Sequence, residues 1–194
     1  MERFYKIYKN TINMLRNRKY VVPEENILTY EEILKKTKPE LTIIAENIND
    51  HSDKISVFFL DDDKIGVKHV RSYYEELSSN NIKNGILIVK EDITSFAKNE
   101  ILNYNTKGIN IEIYIDKYLV FDITTHVLVP KHELLDDVSK NEVFKKYHVK
   151  ESQLPQILET DPVCKYYGFK KFNVIKISKY SETSGIYTSY RLVV

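Results

Sequence analysis

Three short stretches hold residue types that could do chemistry. Asp62-Asp63-Lys64 has the acid-acid-lysine form of a nuclease site, with Asp50 or Asp53 as the earlier carboxylate. Such a site needs carboxylates that converge on a metal and a lysine near the attacked phosphate. The acids fill a turn beside Gly66, however, where Asp is favoured for local hydrogen bonding, and a solvated turn is the preferred reading. His132-Glu133-Leu134-Leu135-Asp136 approaches a zinc motif, in which two ligands lie one helical turn apart and the glutamate is the base. Asp136 stands where the second histidine belongs, Pro130 lies just upstream, and His126 is not one turn from His132, so structural histidines are expected. Cys164, after Asp161-Pro162-Val163, reads as a small buried thiol rather than a nucleophile. Only five glycines are available, too few for a phosphate-cradling loop. No catalytic residue, metal or cofactor is expected. Among the fifteen tyrosines, Tyr73-Tyr74, Tyr166-Tyr167, Tyr187 and Tyr190 could fill partner pockets or stack on bases, while most belong in cores.

The composition fits a globular protein. The 194 residues suffice for one large domain or two modest ones, and 42% hydrophobic with 29% charged residues is ordinary. The formal net charge of +1 excludes a strongly basic nucleic-acid binder. Residues 1–124 carry about −2 and residues 125–194 about +3. One cysteine excludes an internal disulfide and points to a reducing compartment. The N-terminus lacks an apolar core of signal-peptide length, and no apolar run approaches the roughly 20 residues of a membrane span, so a soluble intracellular protein is expected.

The elements that would position these residues follow from periodicity. Apolar residues at 4, 8, 12 and 15 predict a helix over 4–15, and Pro23 ends any continuation. Thr29-x-x-Glu32 predicts a helix start. Leu41–Ala45 and Ile55–Leu60 read as a hairpin, Val67–Leu77 as a helix, Ile86–Val89 as a strand buried on both faces, and Ile109–Ile113 as another strand. Thr94 or Ser95 caps a helix towards Leu102. After Thr124 the texture changes. Ser139-x-x-Glu142 predicts a helix to about Tyr147, and Asp161-Pro162 with Gly168 brackets a short helix over 162–167. Val174–Ser178 and Tyr187–Val193 read as strands. A domain boundary is expected near residue 124.

The C-terminal motifs carry a resemblance. His126-Val127-Leu128-Val129-Pro130-Lys131-His132 resembles the H-x-L-V-P-x-H signature of subunit 5 of eukaryotic RNA polymerases and of its archaeal counterpart. Gln153-Leu154-Pro155-Gln156-Ile157 is similar to that family's Q-L-P-x-I. Asp161 to Gly168 is similar to its D-P-V-A-R-Y-Y/F-G, with Cys164 and Lys165 in place of Ala and Arg. Val174-Ile175-Lys176-Ile177, Ser181-Glu182-Thr183-Ser184-Gly185 and Tyr190-Arg191 match V-V-K-I, S-E-T-A-G and Y-R in order. Weaker echoes precede them at Leu41-Thr42-Ile43, Val57-Phe58-Phe59, Ile65-Gly66-Val67-Lys68 and Ile86-Leu87-Ile88-Val89. The family's T-P-S-A turn appears as Thr94-Ser95-Phe96-Ala97, without its proline.

The resemblance implies an inactive, restriction-endonuclease-like α/β jaw domain over residues 1–124 and a small α+β assembly domain over 125–194. It implies a non-catalytic subunit of a multisubunit DNA-dependent RNA polymerase, docked on the largest subunit beside other polymerase subunits. The jaw would make weak, sequence-independent contact with downstream duplex DNA, and no membrane is involved. Interface candidates are Pro130, His132, Pro155, Asp161, Tyr166, Ser181, Glu182, Thr183, Gly185 and Arg191. Thr94, Ser95 and Lys98 are the DNA-proximal candidates. The implied location is the nucleus or, for a polymerase carried by a large DNA virus, the virion or cytoplasmic factory. The competing classes are a divergent metal-dependent nuclease using Asp62 and Lys64, and a free-standing transcription regulator.

Overall fold

The N-terminal stripe forms α1 (Glu2–Asn17), which buries Ile7, Tyr8, Thr11, Ile12, Met14 and Leu15 along one face. The structure, a computed structural model, describes residues 2–62, 65–181 and 185–194, without the side chains of Lys38 and Pro39. It forms two compact units that divide between Phe121 and Asp122.

In the first unit Pro23 precedes a 3₁₀ turn at Glu24–Asn26. The predicted cap then opens the short helix α2 (Tyr30–Leu34), where the Thr29 N–H donates to the Glu32 carboxylate at 2.7 Å. The sheet is built from β1 (Tyr20–Val21), β2 (Ile43–Asn47), β3 (Lys54–Phe59), β4 (Asn84–Val89) and β5 (Asn110–Ile115), in that spatial order. β1–β2 and β2–β3 are antiparallel, whereas β3–β4 and β4–β5 are parallel. The expected hairpin is therefore present, but its first strand begins at Ile43, because Lys38–Leu41 form a 3₁₀ turn.

The parallel strands need long crossovers. They are supplied by α3 (Val67–Ser79) and α4 (Ser95–Thr106). Both helices cover one face of the sheet, where Val70, Leu77, Ala97, Ile101 and Tyr104 pack on Phe58, Leu87, Val89 and Ile111. α1 covers the other face, with the Phe4 and Tyr8 rings each 5.4 Å from the Phe59 ring. β4 thus has helices above and below, and Ile86 to Val89 are all buried, as their continuous apolar run predicts. Beside them Gly85 has room for no larger residue: a Cβ there would lie 2.6 Å from Leu77 Cδ1, in a side chain that is itself fully buried. Arg18, just beyond α1, buries its guanidinium against β5. It donates to Glu112 at 2.9 Å and to the Tyr114 hydroxyl at 3.1 Å.

The second unit holds a four-stranded sheet in the order β6 (Lys131–Leu134), β8 (Val174–Ser181), β9 (Gly185–Val193), β7 (Gln156–Ile157). β7 runs parallel to β9 and the other pairs are antiparallel. α5 (Asp137–Tyr147) and α6 (Pro162–Tyr167) cover opposite faces. Phe144 packs with Leu154, Val174 and Leu192, while Cys164 packs with Ile175, Ile177 and Val193. One expectation needs correction. The cap of α5 is Asp136, whose carboxylate accepts from the Ser139 N–H at 3.3 Å, so the helix starts before Ser139. The stretch from His132 to Asp136, whose sequence speaks against a zinc motif, lies on β6 and the following cap. Alternation along a strand turns His132 inward and Glu133 to the other face, where Glu133 pairs with Lys131 and Lys176.

Among the described residues His132 is the buried polar side chain that can take up a proton, and its Nδ1–H donates to the Pro130 carbonyl at 2.7 Å. Burial lowers its pKa from the ordinary 6.5. The neutral ring is therefore the folded form, and the unfolded chain takes up the proton first as pH falls.

Three outcomes follow from this packing. Gly85→Ala should cost about 1–3 kcal/mol in denaturant unfolding, because the buried Leu77 side chain must shift to admit the added methyl group. Arg18→Met should cost on the order of 3 kcal/mol by leaving Glu112 without its cation. Stability should decline as pH drops below about 6.5, with no contribution from this group above it, and His132→Gln should reduce that slope in urea melts across pH.

Candidate interaction surfaces

The acids that suggested a nuclease do not converge. Asp53 stands at the start of β3, where its carboxylate accepts from the Tyr20 hydroxyl at 3.0 Å, Asn47 at 3.1 Å and Asn84 at 2.7 Å. These bonds tie β1, β2 and β4 to the same end of the sheet. Asp50 closes its own turn, accepting from the Ser52 N–H at 2.9 Å. Asp62 lies beyond the opposite end of β3 and faces His69 Nε2 at 3.6 Å. The six residues of β3 alone span about 20 Å, far beyond the reach of one metal ion. Among the described residues no group of three or more His, Cys, Asp or Glu could hold a metal. Asp63 and Lys64 lie outside the described residues.

The DNA-proximal candidates form the start of α4. Thr94 is its N-cap, accepting from the Ala97 N–H at 3.3 Å, so the turn caps a helix without a proline. Ser95 is the first helical residue, and Lys98 is paired with Asp92. Phe96 projects from the first turn with its ring exposed. This arrangement offers a helix dipole end and one apolar side chain, with its lysine already engaged.

In the second unit the structure gathers candidates that are far apart in sequence. His132 on β6 lies within electrostatic reach of both Asp161, at the cap of α6, and Arg191, on β9. After burial and the Pro130 bond, Asp161 raises and Arg191 lowers the His132 pKa. Asp161 accepts from the Val163 N–H at 2.8 Å and holds α6 in place, as Asp-Pro predicts. The exposed Arg191 guanidinium donates to the Gln156 carbonyl at 3.4 Å, over the edge formed by β7. Pro155 leads into that strand, its carbonyl accepting from the Leu192 N–H at 2.9 Å. Tyr166 is only 3% exposed and His132 only 8%, so these two shape the surface from beneath. Cys164 is buried too, and burial pushes its thiol up to about 11, far from a reactive thiolate. Ser181 and Gly185 pair at the loop end of the β8–β9 hairpin, with Gly185 at φ 70°. Glu182 and Thr183 lie outside the described residues.

One surface was not anticipated. β8 and β9 run past their helical cover, so Tyr180 faces Ile186 and Lys179 faces Tyr187 across the hairpin, with all three apolar side chains exposed. The strand expected to end at Ser178 continues to Ser181, and the apolar cross-strand pair exists only because of that extension. Val127 and Leu128, inside the His126–His132 motif, are also exposed.

Comparison with known proteins accounts for both units. The family model described as RNA polymerase Rpb5, N-terminal domain, matches residues 1–77, and that described as RNA polymerase Rpb5, C-terminal domain, matches residues 121–193. Subunit RPABC1 of DNA-directed RNA polymerases I, II, and III from Dictyostelium discoideum is 36% identical, covering 100% of this chain and 98% of the relative. The subunit of the same name from Caenorhabditis briggsae is 35% identical over 99% of this chain and 96% of its own length. DNA-directed RNA polymerase subunit 5-like protein 1 from Arabidopsis thaliana is 33% identical with the same coverage. With the two domain models matched in order and relatives aligned from end to end, the chain belongs to the RNA polymerase Rpb5 family.

Proposed function

We propose that the chain is a non-catalytic subunit of a multisubunit DNA-directed RNA polymerase. The observation that carries this reading is the end-to-end similarity to polymerase subunits, which spans both compact units. The second unit, taken as residues 125–194, serves as the assembly domain and docks on the largest subunit. Its pre-shaped edge around Pro155, Asp161 and Arg191 and its uncovered hairpin support that assignment, since a surface ordered before contact lowers the entropy cost of docking. Pro130, Ser181 and Gly185 belong to the same surface, with His132 and Tyr166 supporting it from the core.

The first unit, taken as residues 1–124, is the jaw beside downstream DNA. A mixed sheet with helices on both faces suits a nuclease-like frame, and its acids serve turns and strand ends instead of a metal. A unit with a net charge of about −2 contacts duplex DNA through few cations, at phosphates rather than base edges. Thr94, Ser95 and the exposed Phe96 are the local contacts. The nucleus is the compartment that fits this role in a cellular polymerase, and the virion or cytoplasmic factory the one that fits it in a polymerase of a large DNA virus.

Tagged full-length protein, purified from its native cells at moderate salt, should bring down the large polymerase subunits in stoichiometric amounts. Arg191→Glu should reduce that recovery about tenfold with the fold intact by circular dichroism. Recovery of the chain alone, together with Mg²⁺-dependent DNA cleavage that Asp62→Ala abolishes, would sink the subunit reading.

A further inference from the structure

The turn that joins α6 to β8 carries an aromatic residue where the backbone favours glycine. Phe172 has a φ of 68°, the left-handed region that crowds any Cβ and is hardest on bulky side chains. The turn around it is closed by two bonds between Lys170 and Asn173: the Asn173 N–H to the Lys170 carbonyl at 3.0 Å and the Lys170 N–H to Asn173 Oδ1 at 2.7 Å. The Phe172 N–H donates to the Val193 carbonyl at 2.9 Å, and its own carbonyl accepts from Lys140 Nζ at 3.4 Å. The backbone is therefore held in the strained conformation from both sides. Yet the ring packs on little, being 72% exposed.

Among the described residues, the other non-glycine positions with positive φ are Lys19, Asn81 and His148, all polar. At residue 172 glycine or asparagine would satisfy the turn, relieve the strain and expose no apolar surface. Neither the turn nor the core accounts for a phenylalanine. Exposed strain of this kind points to a contact made elsewhere.

The surroundings indicate the chemistry of that contact. Lys170 and Lys171 are exposed on the same turn, and residues 125–194 carry a net charge of about +3, while the ammonium of Lys140 that reaches the turn is already paired with Glu151 at 3.1 Å. Single-stranded nucleic acid is bound by successive aromatic platforms along a groove. Here the nearest rings in sequence, Tyr167 and Phe169, stack on each other and pack into the unit, leaving one ring on a convex turn. A single convex knob fits a concave apolar socket, which is a feature of a protein surface.

We infer that the turn at 170–173 is a docking knob. Phe172 enters an apolar socket on an acidic face of another polymerase subunit, and Lys170 and Lys171 face the carboxylates at its rim. This inference rests on the polymerase-subunit reading, and it adds a contact to those of the hairpin and the Arg191 edge.

The test compares full-length tagged Phe172→Gly, Phe172→Asn and Lys171→Glu proteins with the wild type. Phe172→Gly and Phe172→Asn should raise the melting temperature by about 4 °C through relief of the left-handed strain. The same two variants should recover roughly tenfold less of the large polymerase subunits. Lys171→Glu should also lower recovery, with a deficit that narrows as salt is raised. Loss of melting temperature and recovery together would make Phe172 a structural residue and overturn the inference. Wild-type recovery by all three variants would overturn it as well. So would unchanged recovery with lost binding to a labelled single-stranded oligonucleotide, which would assign the knob to nucleic acid. If the wild type itself recovers no polymerase subunit, the parent reading fails and the knob with it.

Discussion

Burial of β4 on both faces is the constraint on which the first unit depends. A strand with helices above and below cannot offer a polar side chain to either layer, and its run of Ile86, Leu87, Ile88 and Val89 meets that demand. The neighbouring Gly85 meets it sterically, by letting Leu77 of α3 approach the sheet backbone. With α3 and α4 pressed on one face, α1 must take the other, where its aromatic side chains meet Phe59. The Arg18 pair with Glu112 then ties the end of α1 to β5. The pair is buried, so its value lies less in net stability than in the penalty for any arrangement that separates the two charges.

The same sheet explains why the described acids of the nuclease-like pattern do not converge. β3 is a straight connection between them, and it holds Asp53 and Asp62 at opposite ends. At one end Asp53 gathers three donors from three elements, which is a means of fastening a sheet edge. At the other, Asp61 and Asp62 pair with Lys90 and His69 at the start of the crossovers. Carboxylates bound in this way reinforce local geometry, and among the described residues they form no cluster for a metal.

The second unit reaches a stable core with little material because its sheet is covered on both faces by short helices. α6 has only six residues, too few to persist alone, and is held by the Asp161 cap, Pro162 and the left-handed Gly168. Each unit has its own core, so its edges are ordered before any partner arrives. Apolar side chains left uncovered include those on strand ends that extend past their helices, as at Tyr180 and Ile186, those at Val127 and Leu128, and the aromatic on the turn at Phe172.

Much of this was legible in the chain itself. Helix α1, the buried run of β4, the β2–β3 hairpin and the Asp-Pro and Thr-x-x-Glu starts are local signals, set by side-chain period and by one or two capping bonds. The motifs near Pro130, Pro155, Asp161 and Arg191 likewise marked the second unit by type and order. Local rules do not report distance between segments. That Ser139 yields its cap to Asp136, that His132 turns inward on a strand, and that Asp161 and Arg191 come within electrostatic reach of His132 are outcomes of sheet register and helix packing. The strain at Phe172 was also silent in sequence, because a φ value is imposed by the bonds to Val193 and Lys140 rather than by the residue that bears it. Composition and period by themselves determined most of the longer helices and strands, while only the tertiary structure decided the short strands β6 and β7, which side chains face one another and which are left exposed.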